Sequence, residues 1–359
     1  MRVVASPAYA NRFLNPYQWL LHTHLERSGV EVSGTASPRL WTGECDVWHP
    51  HWPDAPLNRR SALAAATAAR GLLRWIRHVR GLGVRIVWTV HNLHSHERYH
   101  PELEERFWRR FTPLLDGWTS LSAAGRDAAL ARHPELRERP GFVIPHGHYR
   151  GVYPDTLSRA EARQRLGLPA DARAIAFLGR LRPYKNVPHL MRVFAELADP
   201  RARLVVAGGR GPATLMERVR TEARRDARVL LHPGHVPGHH LQRYLRAADL
   251  VALPFTEILN SGSAILALSF DRPVLVPARG SLAELRDVVG ARWVRTYEGE
   301  LTADVLRDAL AWAREPSREA AAPLDALAWP AIARRTRGAY EAIVGGVGQP
   351  SDAAAVAVA

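Results

Sequence analysis

The feature that most constrains this chain is the alternation of short β-type runs with longer helical stretches from one end to the other. Such alternation is typical of parallel sheets, in which each strand returns to the sheet through a helix. Six strand-like runs precede residue 150 and five follow it, the last of them at Pro273–Val276. The pattern therefore predicts an α/β protein made of two doubly wound, Rossmann-like domains, which also suits its 359 residues.

The boundary between the two series lies near Gly151–Leu157. We expect an N-terminal domain over residues 1–150 and a C-terminal domain over residues 151–344. Apolar spacing predicts a last helix at about residues 329–343, with packing back on the N-terminal domain as one arrangement, and the composition of residues 345–359 predicts a disordered tail. Because ligands bind at the carboxyl ends of parallel strands, we expect a ligand cleft between the domains.

The chain carries a formal net charge of +14, which favours anionic partners. Nearly all of its basic residues are arginine, and Lys185 is the single lysine. The single cysteine, Cys45, excludes an intrachain disulfide and favours a reducing compartment. The first residues read as a strand and loop, and no apolar run reaches about 18 residues. These observations predict a cytoplasmic protein, with peripheral contact at the inner face of the membrane as an open alternative.

The first candidate site follows a hydrophobic strand that ends before Gly179. Glycine lets the backbone approach a ligand closely. Arg180 and Lys185 flank the turn that follows, and a helix begins near Val187. Two cations beside a helix N-terminus at the carboxyl end of a strand form a diphosphate site by electrostatics. A charged surface loop is the alternative interpretation.

A second polar loop, Glu257–Ser263, follows another hydrophobic strand. The backbone N–H groups and hydroxyls of Ser261-Gly262-Ser263 are suited to a phosphate. Glu257 can accept hydrogen bonds from sugar hydroxyls. The alternative is that the serine serves only as an ordinary helix N-cap.

Together these segments resemble the family 4 glycosyltransferases of the GT-B fold. The resemblance covers most of the second half and includes Gly179–Lys185, Val205–Gly209, Tyr244–Asp249 and Glu257–Val274. It implies two Rossmann-like domains facing a cleft and a hexosyltransferase that acts without a metal or cofactor. The co-substrate would be a nucleotide diphosphate sugar with a GDP, UDP or dTDP base, and the sugar would be mannose or another hexose.

The resemblance also implies residue roles. Arg180 and Lys185 match the residues that bind the donor diphosphate and stabilise the leaving group, and Glu257 matches the first Glu of an E-x7-E motif, which contacts the donor sugar. The second Glu, which usually holds the ribose, is replaced by Ile265. This departure leaves ribose recognition to other residues and leaves the choice between retention and inversion open. The candidate donor-binding residues are Gly179, Gly209, Asn260, Ser261, Gly262 and Ser263.

In the first half, a hydrophobic strand ends at His91, where the family often has a histidine that reaches the donor sugar. We therefore name His91 with Arg180, Lys185 and Glu257 as candidate catalytic residues, a structural histidine being the alternative. His94 and Glu97 are candidates for a general base in an inverting mechanism. Asn15, Tyr17, His51 and His146 are further acceptor-side candidates, because they lie in loops after predicted strands or at the domain crossing.

The expected partners are the donor and a glycan, lipid-linked or other small acceptor, with no nucleic acid, since no nucleic-acid module is recognisable. The histidine clusters lack zinc-site spacing, so no metal site is predicted. The basic amphipathic helix predicted at residues 63–80 fits an anionic membrane surface, although a solvated helix face is the slightly preferred interpretation. A nucleotide-sugar epimerase, a degenerate GT-B scaffold and a basic nucleic-acid-binding protein are the other functions left open.

Overall fold

The computed structural model describes residues 1–13, 15–95, 98–209, 211–316 and 318–346. The chain divides into two units. The first unit comprises Met1–Gly147 together with the segment that begins at Leu327, and the second unit comprises His148–Ala326. The predicted tail, residues 345–359, lies outside the described residues from position 347 onward.

The first unit contains a fully parallel sheet with the strand order β2-β1-β3-β4-β5-β6. Its strands are β1 (Arg2–Ser6), β2 (Glu31–Gly34), β3 (Val47–Pro50), β4 (Arg85–Val90), β5 (Gly117–Ser120) and β6 (Gly141–Val143). Its first helices are α1 (Tyr17–Arg27), α2 (Arg39–Thr42), α3 (Ala62–Gly81), α4 (Pro101–Phe111) and α5 (Ala123–Arg132). The core holds three fully buried tryptophans, Trp88, Trp108 and Trp118.

The second unit contains another fully parallel sheet, with the order β12-β11-β10-β7-β8-β9. Its strands are β7 (Arg173–Leu178), β8 (Ala202–Gly208), β9 (Val229–Pro233), β10 (Leu250–Ala252), β11 (Val274–Pro277) and β12 (Val294–Tyr297). Its helices are α6 (Arg159–Leu166), α7 (Val187–Ala195), α8 (Ala213–Arg225), α9 (Leu241–Ala247), α10 (Gly262–Ser269), α11 (Gly280–Val289) and α12 (Ala303–Ala313).

Local sequence signals set several of these helices. Ser158 and Glu161 form a capping box at the start of α6, because each side chain accepts a hydrogen bond from the other residue's backbone N–H. Gly167 ends the same helix in the left-handed conformation. The last helix, α13 (Trp329–Gly345), groups with the first unit and packs along α1.

The strand orders locate a topological switch point in each sheet. Read from β9, the second sheet has the doubly wound order 3-2-1-4-5-6. The strand order therefore reverses between β7 and β10. The first sheet reverses between β1 and β3. Ligands of open parallel sheets bind at the carboxyl ends of the strands at these points. The predicted α/β fold class is confirmed, and the residues that follow β7, β10, β1 and β3 are those that the fold presents to ligands.

Candidate active site

The residues after β7 and β8 meet at a crowded point of the second unit. Gly179 has φ +140°, and a Cβ built on it would lie 3.0 Å from Lys185 Nζ and 3.4 Å from Ser263 Oγ. A Cβ on Gly208 would lie 1.9 Å from the Gly179 carbonyl oxygen. Gly208 has no room for a side chain, and Gly179 adopts a φ that residues with a side chain rarely adopt. The fold therefore brings together Gly179, Lys185 and Ser263, which the sequence analysis predicted from two separate motifs.

Lys185 is a buried cation in this cluster. Only 8% of its surface is exposed, and Nζ lies 6.0 Å from the ring of Phe177 and 5.4 Å from the ring of Phe255. Burial, and then repulsion from Arg180 and Arg182, lowers the pKa of the ammonium to about 8. Within the described residues no carboxylate forms an ion pair with Nζ. A buried cation without a counter-ion is suited to binding an anion.

The loop after β10 is tied to the turn that carries Lys185. Thr256 donates to the Tyr184 carbonyl oxygen both through its backbone N–H, at 2.8 Å, and through its hydroxyl, at 3.2 Å. The next residue, Glu257, has an exposed side chain. These hydrogen bonds place the predicted sugar-binding loop beside the predicted diphosphate turn. Thr256 itself was not predicted, since nothing in its sequence context marks a hydroxyl that bonds to a carbonyl 72 residues away.

The two serines at the start of α10 have different contacts. Ser261 Oγ accepts a hydrogen bond of 3.2 Å from the Ala264 backbone N–H and so caps the helix. Gly262 is the first helical residue, and Ser263 lies toward Gly179. Ile265 is buried, and its aliphatic side chain has no polar atom that could hydrogen-bond to a ribose hydroxyl.

The remaining donor-site candidates lie around this cluster. Arg180 follows Gly179 directly and is exposed. Asn260 is half-buried at the end of the loop before α10. Gly209 follows β8, and a Cβ on it would lie 2.7 Å from the Gly234 backbone nitrogen. Each candidate therefore lies at the carboxyl end of β7, β8 or β10, the edge where ligands bind.

The first unit brings three predicted acceptor-side residues, Tyr17, His51 and His146, together with the catalytic candidate His91. Tyr17, at the start of α1, has its ring centroid 6.0 Å from His51, 5.3 Å from His91 and 4.8 Å from His146. Trp329 of α13 lies 5.6 Å from the same ring. Tyr17 is buried, and burial raises its pKa, so its hydroxyl stays protonated. We call Tyr17, His51, His91, His146 and Trp329 the aromatic cluster.

Within the aromatic cluster, His51 Nδ1 and His91 Nε2 lie 3.0 Å apart and share a hydrogen bond. Trp52 stacks on His91, with ring centroids 4.8 Å apart and planes inclined by 27°. Burial, then the neighbouring His49, His91 and His22, lowers the pKa of His51 well below its usual value. Burial lowers the pKa of His146 to about 4. His51 and His146 are therefore neutral at physiological pH.

Two predicted residues have other contacts, and a third is not described. Asn15 Oδ1 accepts a hydrogen bond of 3.2 Å from the Tyr17 backbone N–H and so helps to start α1. His94 Nδ1 lies 3.4 Å from Oε1 of Glu104, a buried residue of α4, and not in the aromatic cluster. Glu97 lies outside the described residues.

The sequence analysis assigned no role to His49, although it lies beside the cluster. Its Nδ1 is 2.6 Å from the Tyr340 hydroxyl, and its Nε2 is 2.8 Å from Thr89 Oγ1. The only sequence signal was its spacing, since His49 and His51 are two residues apart and so share a face at the end of β3. In the part of the chain that the structure describes, no three His, Cys, Asp or Glu residues are placed to hold a metal ion.

Comparisons with known proteins identify the family. The family model described as "Glycosyl transferases group 1" matches residues 158–285. A GDP-mannose:glycolipid 4-β-D-mannosyltransferase from Xanthomonas campestris pv. campestris is 32% identical over 362 residues, covering 98% of this chain and 94% of that protein. The chain belongs to the glycosyl transferases group 1 family. A D-inositol 3-phosphate glycosyltransferase from Mycobacterium tuberculosis is 35% identical over 156 residues, covering 41% of this chain and 32% of that protein.

Solved structures share the fold of this group 1 glycosyltransferase. HepE from Anabaena, crystallised with UDP-glucose, aligns with a TM-score of 0.61 at 17% identity, covering 97% of this chain and 99% of that chain. Sucrose-phosphate synthase from Thermosynechococcus elongatus aligns with a TM-score of 0.61 at 18% identity, covering 96% of each chain. The protein is a nucleotide-sugar-dependent hexosyltransferase with the GT-B fold. Among its described residues, no helix combines the length and apolar character needed to cross a membrane.

Proposed function

We propose that this protein transfers mannose from GDP-mannose to a sugar hydroxyl of a glycolipid, without a metal ion. The observation that carries the proposal is Lys185, a buried ammonium beside Gly179 and Ser263 at the switch point of the second sheet. Its position suits the diphosphate of a nucleotide sugar. The choice of GDP and mannose rests on the Xanthomonas relative, which matches nearly the whole chain.

The proposed chemistry assigns a task to each side chain. Arg180 and Lys185 neutralise the charge that develops on GDP as its bond to the anomeric carbon breaks, which replaces the action of a metal ion. Glu257 accepts hydrogen bonds from the mannose hydroxyls. His91 takes the proton of the acceptor hydroxyl as its oxygen bonds to the anomeric carbon. Since GDP-mannose is an α-glycoside, a β-linked product requires inversion.

Thermal unfolding with a panel of GDP, UDP, dTDP and their sugars, without added metal, tests the donor site. A ligand at about 100 times its Kd raises the free energy of unfolding by roughly 2.7 kcal/mol. We expect GDP and GDP-mannose to raise the unfolding midpoint and Lys185→Ala to abolish that increase. Arg218→Ala is the matched control, because it also removes one positive charge in the second unit but from the exposed face of α8.

The outcomes separate the parts of the proposal. If UDP or dTDP raises the midpoint and GDP does not, the base is wrong but the diphosphate site stands. If no nucleotide changes the midpoint, the donor site is wrong. Release of GDP from GDP-mannose with octyl β-glycosides as acceptors, followed by NMR of the product, then tests transfer and the β configuration. Conversion of the donor sugar without an acceptor would instead indicate an epimerase.

We also propose that the first unit contacts anionic membranes through α2 and the second half of α3. Trp41 is 63% exposed and lies 4.1 Å from the ring of Trp75, and Leu82, beyond α3, is 40% exposed. Arg74 and Arg77 are exposed on the same helix. Aromatic side chains beside arginines fit the interface of an anionic bilayer.

Vesicle co-sedimentation tests this surface. We expect binding to phosphatidylcholine vesicles that contain one-third phosphatidylglycerol, weaker binding without phosphatidylglycerol, and loss of binding at high salt. Trp41→Ser should weaken binding about tenfold, since burying one aromatic side chain contributes roughly 1.4 kcal/mol or more. Phe13→Ser is the control, because Phe13 is 89% exposed in the loop after β1. Equal losses for the two variants would contradict the proposed surface.

A further inference from the structure

The amino ends of three neighbouring strands of the second sheet, β10, β11 and β12, border a cavity of about 270 Å³. Asp249 lies directly before β10, and Arg272 lies two residues before β11. Arg159, the first residue of α6, and Arg314, directly after α12, line the same cavity. Its volume far exceeds the roughly 30 Å³ that one water molecule occupies in the liquid, so it has room for a small ligand. We call it the arginine cavity.

Three guanidinium groups share the one carboxylate of Asp249, which is buried. Arg159 forms an ion pair with its Oδ1, and Arg163 and Arg314 lie 3.0 Å and 3.3 Å from its Oδ2. The Ala174 backbone N–H also donates to Oδ2, at 2.8 Å. Burial lowers the pKa of Arg163, and the charges of Arg159 and Arg314 add to the decrease. One carboxylate therefore offsets only one of three arginine charges that repel one another.

Arg272 adds a fourth positive charge, and it forms no ion pair in the part of the chain that the structure describes. Its Nε donates to the Phe270 carbonyl oxygen at 3.1 Å, and its Nη1 donates to the Ala248 carbonyl oxygen at 3.2 Å. Its Nη2 donates to no described residue. Burial, and then repulsion from Arg246 and Arg159, lowers its pKa to about 10. Arg272 is therefore a half-buried cation with a donor to spare.

The other acids that line the cavity do not balance this charge. Asp271 pairs with Arg150 at 2.6 Å, and Glu319 pairs with Arg292 at 3.3 Å, so each already has its own cation. The remaining two charged residues of the lining are of opposite sign, Glu315 and Arg318. The four arginines around Asp249 therefore keep an excess of three positive charges.

The arginine cavity is separate from the donor site within the second unit. The donor-site candidates lie at the carboxyl ends of β7, β8 and β10, whereas the cavity lies at the amino ends of the strands. Helix α10 begins beside the donor site at Gly262 and ends at Ser269, two residues before Asp271. An anion in the cavity would therefore not compete with a nucleotide for Lys185.

We propose that the arginine cavity is a second anion site, which binds a phosphoryl group, either as free phosphate or as part of a phosphorylated metabolite. The planar fork of a guanidinium matches the oxygen atoms of a phosphoryl group. Such a group carries about two negative charges at neutral pH, which offsets most of the excess charge. The proposal does not depend on the donor or the acceptor proposed above.

Thermal unfolding in sodium phosphate, compared with sodium chloride of equal ionic strength, tests the site. The background is Lys185→Ala, which removes the cation of the donor site. We expect phosphate to raise the midpoint of this protein. Adding Arg314→Gln should weaken phosphate binding about 10- to 100-fold, the range that one hydrogen bond to a charged group contributes. This variant is suited to the test because Asp249 keeps two other arginines.

Arg192→Gln is the matched control in the same background. Arg192 also forms one ion pair, to Glu222 at 3.6 Å, and its side chain is about as exposed as that of Arg314, but it does not line the cavity. The phosphate-induced rise should survive Arg192→Gln and should be lost in Arg272→Gln as well as in Arg314→Gln. Because each comparison is made within the Lys185→Ala background, an error in the donor-site proposal leaves the result unchanged.

The results then decide both the site and the source of the phosphoryl group. If phosphate raises the midpoint equally in Arg314→Gln and Arg192→Gln, or in neither, the arginines only stabilise the fold and the proposed site is wrong. A titration with glucose 6-phosphate distinguishes the two sources. Tighter binding than that of phosphate supports the site and indicates a phosphorylated metabolite, whereas weaker binding supports the site and indicates the free ion.

Discussion

At the residue scale, the pKa of Lys185 should make the affinity for GDP depend on pH. Burial lowers this pKa from 10.5 to about 8, and a bound diphosphate favours the charged ammonium and so raises it again. As pH rises through 8, the free protein loses the proton that the complex retains. We expect the affinity for GDP to fall above pH 8, approaching tenfold per pH unit, and binding at pH 9 to take up a proton. Calorimetry in two buffers of different ionisation enthalpy measures that uptake.

Lys185→Arg is the informative control for this pH dependence. A guanidinium stays charged throughout the range, so the variant should bind GDP with nearly the same affinity at pH 7 and pH 9. In this variant, the binding of GDP at pH 9 should no longer take up a proton. An affinity of the wild-type protein that stays constant between pH 7 and pH 9.5 would contradict the assignment of the titrating group to Lys185.

Sequence patterns picked out those candidate site residues that a local motif marks. Lys185 stood out as the single lysine after a strand and glycine, and the structure places it beside Gly179 and Ser263. The hydrogen bond from Thr256 to Tyr184 joins segments far apart in the chain, and no local pattern encodes it. The contact of His49 with the Tyr340 hydroxyl likewise joins residues that are far apart in the chain. Such contacts follow from the tertiary fold and not from spacing along the chain.

At the element scale, most strands were predictable and β12 was not. Buried central strands such as β7 are continuous apolar runs, which sequence patterns mark clearly. The strand β12 lies at the edge of its sheet and reads Val-Arg-Thr-Tyr, with two of its four residues only half-buried. An edge strand has one neighbour and a mixed pattern, so hydrophobicity alone does not separate it from a loop. The helices α11 and α12, which flank this strand, were missed with it.

The C-terminal helix α13 offers a test of how one element is held. Tyr340 is fully buried, and its hydroxyl lies 2.6 Å from His49 Nδ1 in the first sheet. Tyr340→Phe removes this hydrogen bond and leaves a buried nitrogen unsatisfied. We expect it to lower the free energy of unfolding by about 1–3 kcal/mol, measured by urea denaturation. In a His49→Leu background the same substitution should have a smaller effect, and equal effects in both backgrounds would show that the contact contributes nothing.

At the scale of the whole molecule, each unit has its own sheet, core and switch point. The donor-site residues predicted in the second unit come from β7, β8, β10 and the start of α10, and the aromatic cluster comes from the first unit. Binding of GDP alone should therefore slow hydrogen exchange mainly in the second unit. A ligand that stabilises one cooperative region slows the opening reactions that expose its amides.

Hydrogen exchange with GDP present tests this division of the chain. We expect exchange to slow in residues 178–186 and 253–264, because these segments carry Lys185, Glu257 and the start of α10. The strands β1 to β5 of the first unit should exchange at nearly the same rate with and without GDP. Lys185→Ala should remove the protection, while Arg218→Ala should preserve it. If the first unit's strands were protected and residues 178–186 were unchanged, the nucleotide would bind in the first unit. That outcome would overturn the donor-site assignment.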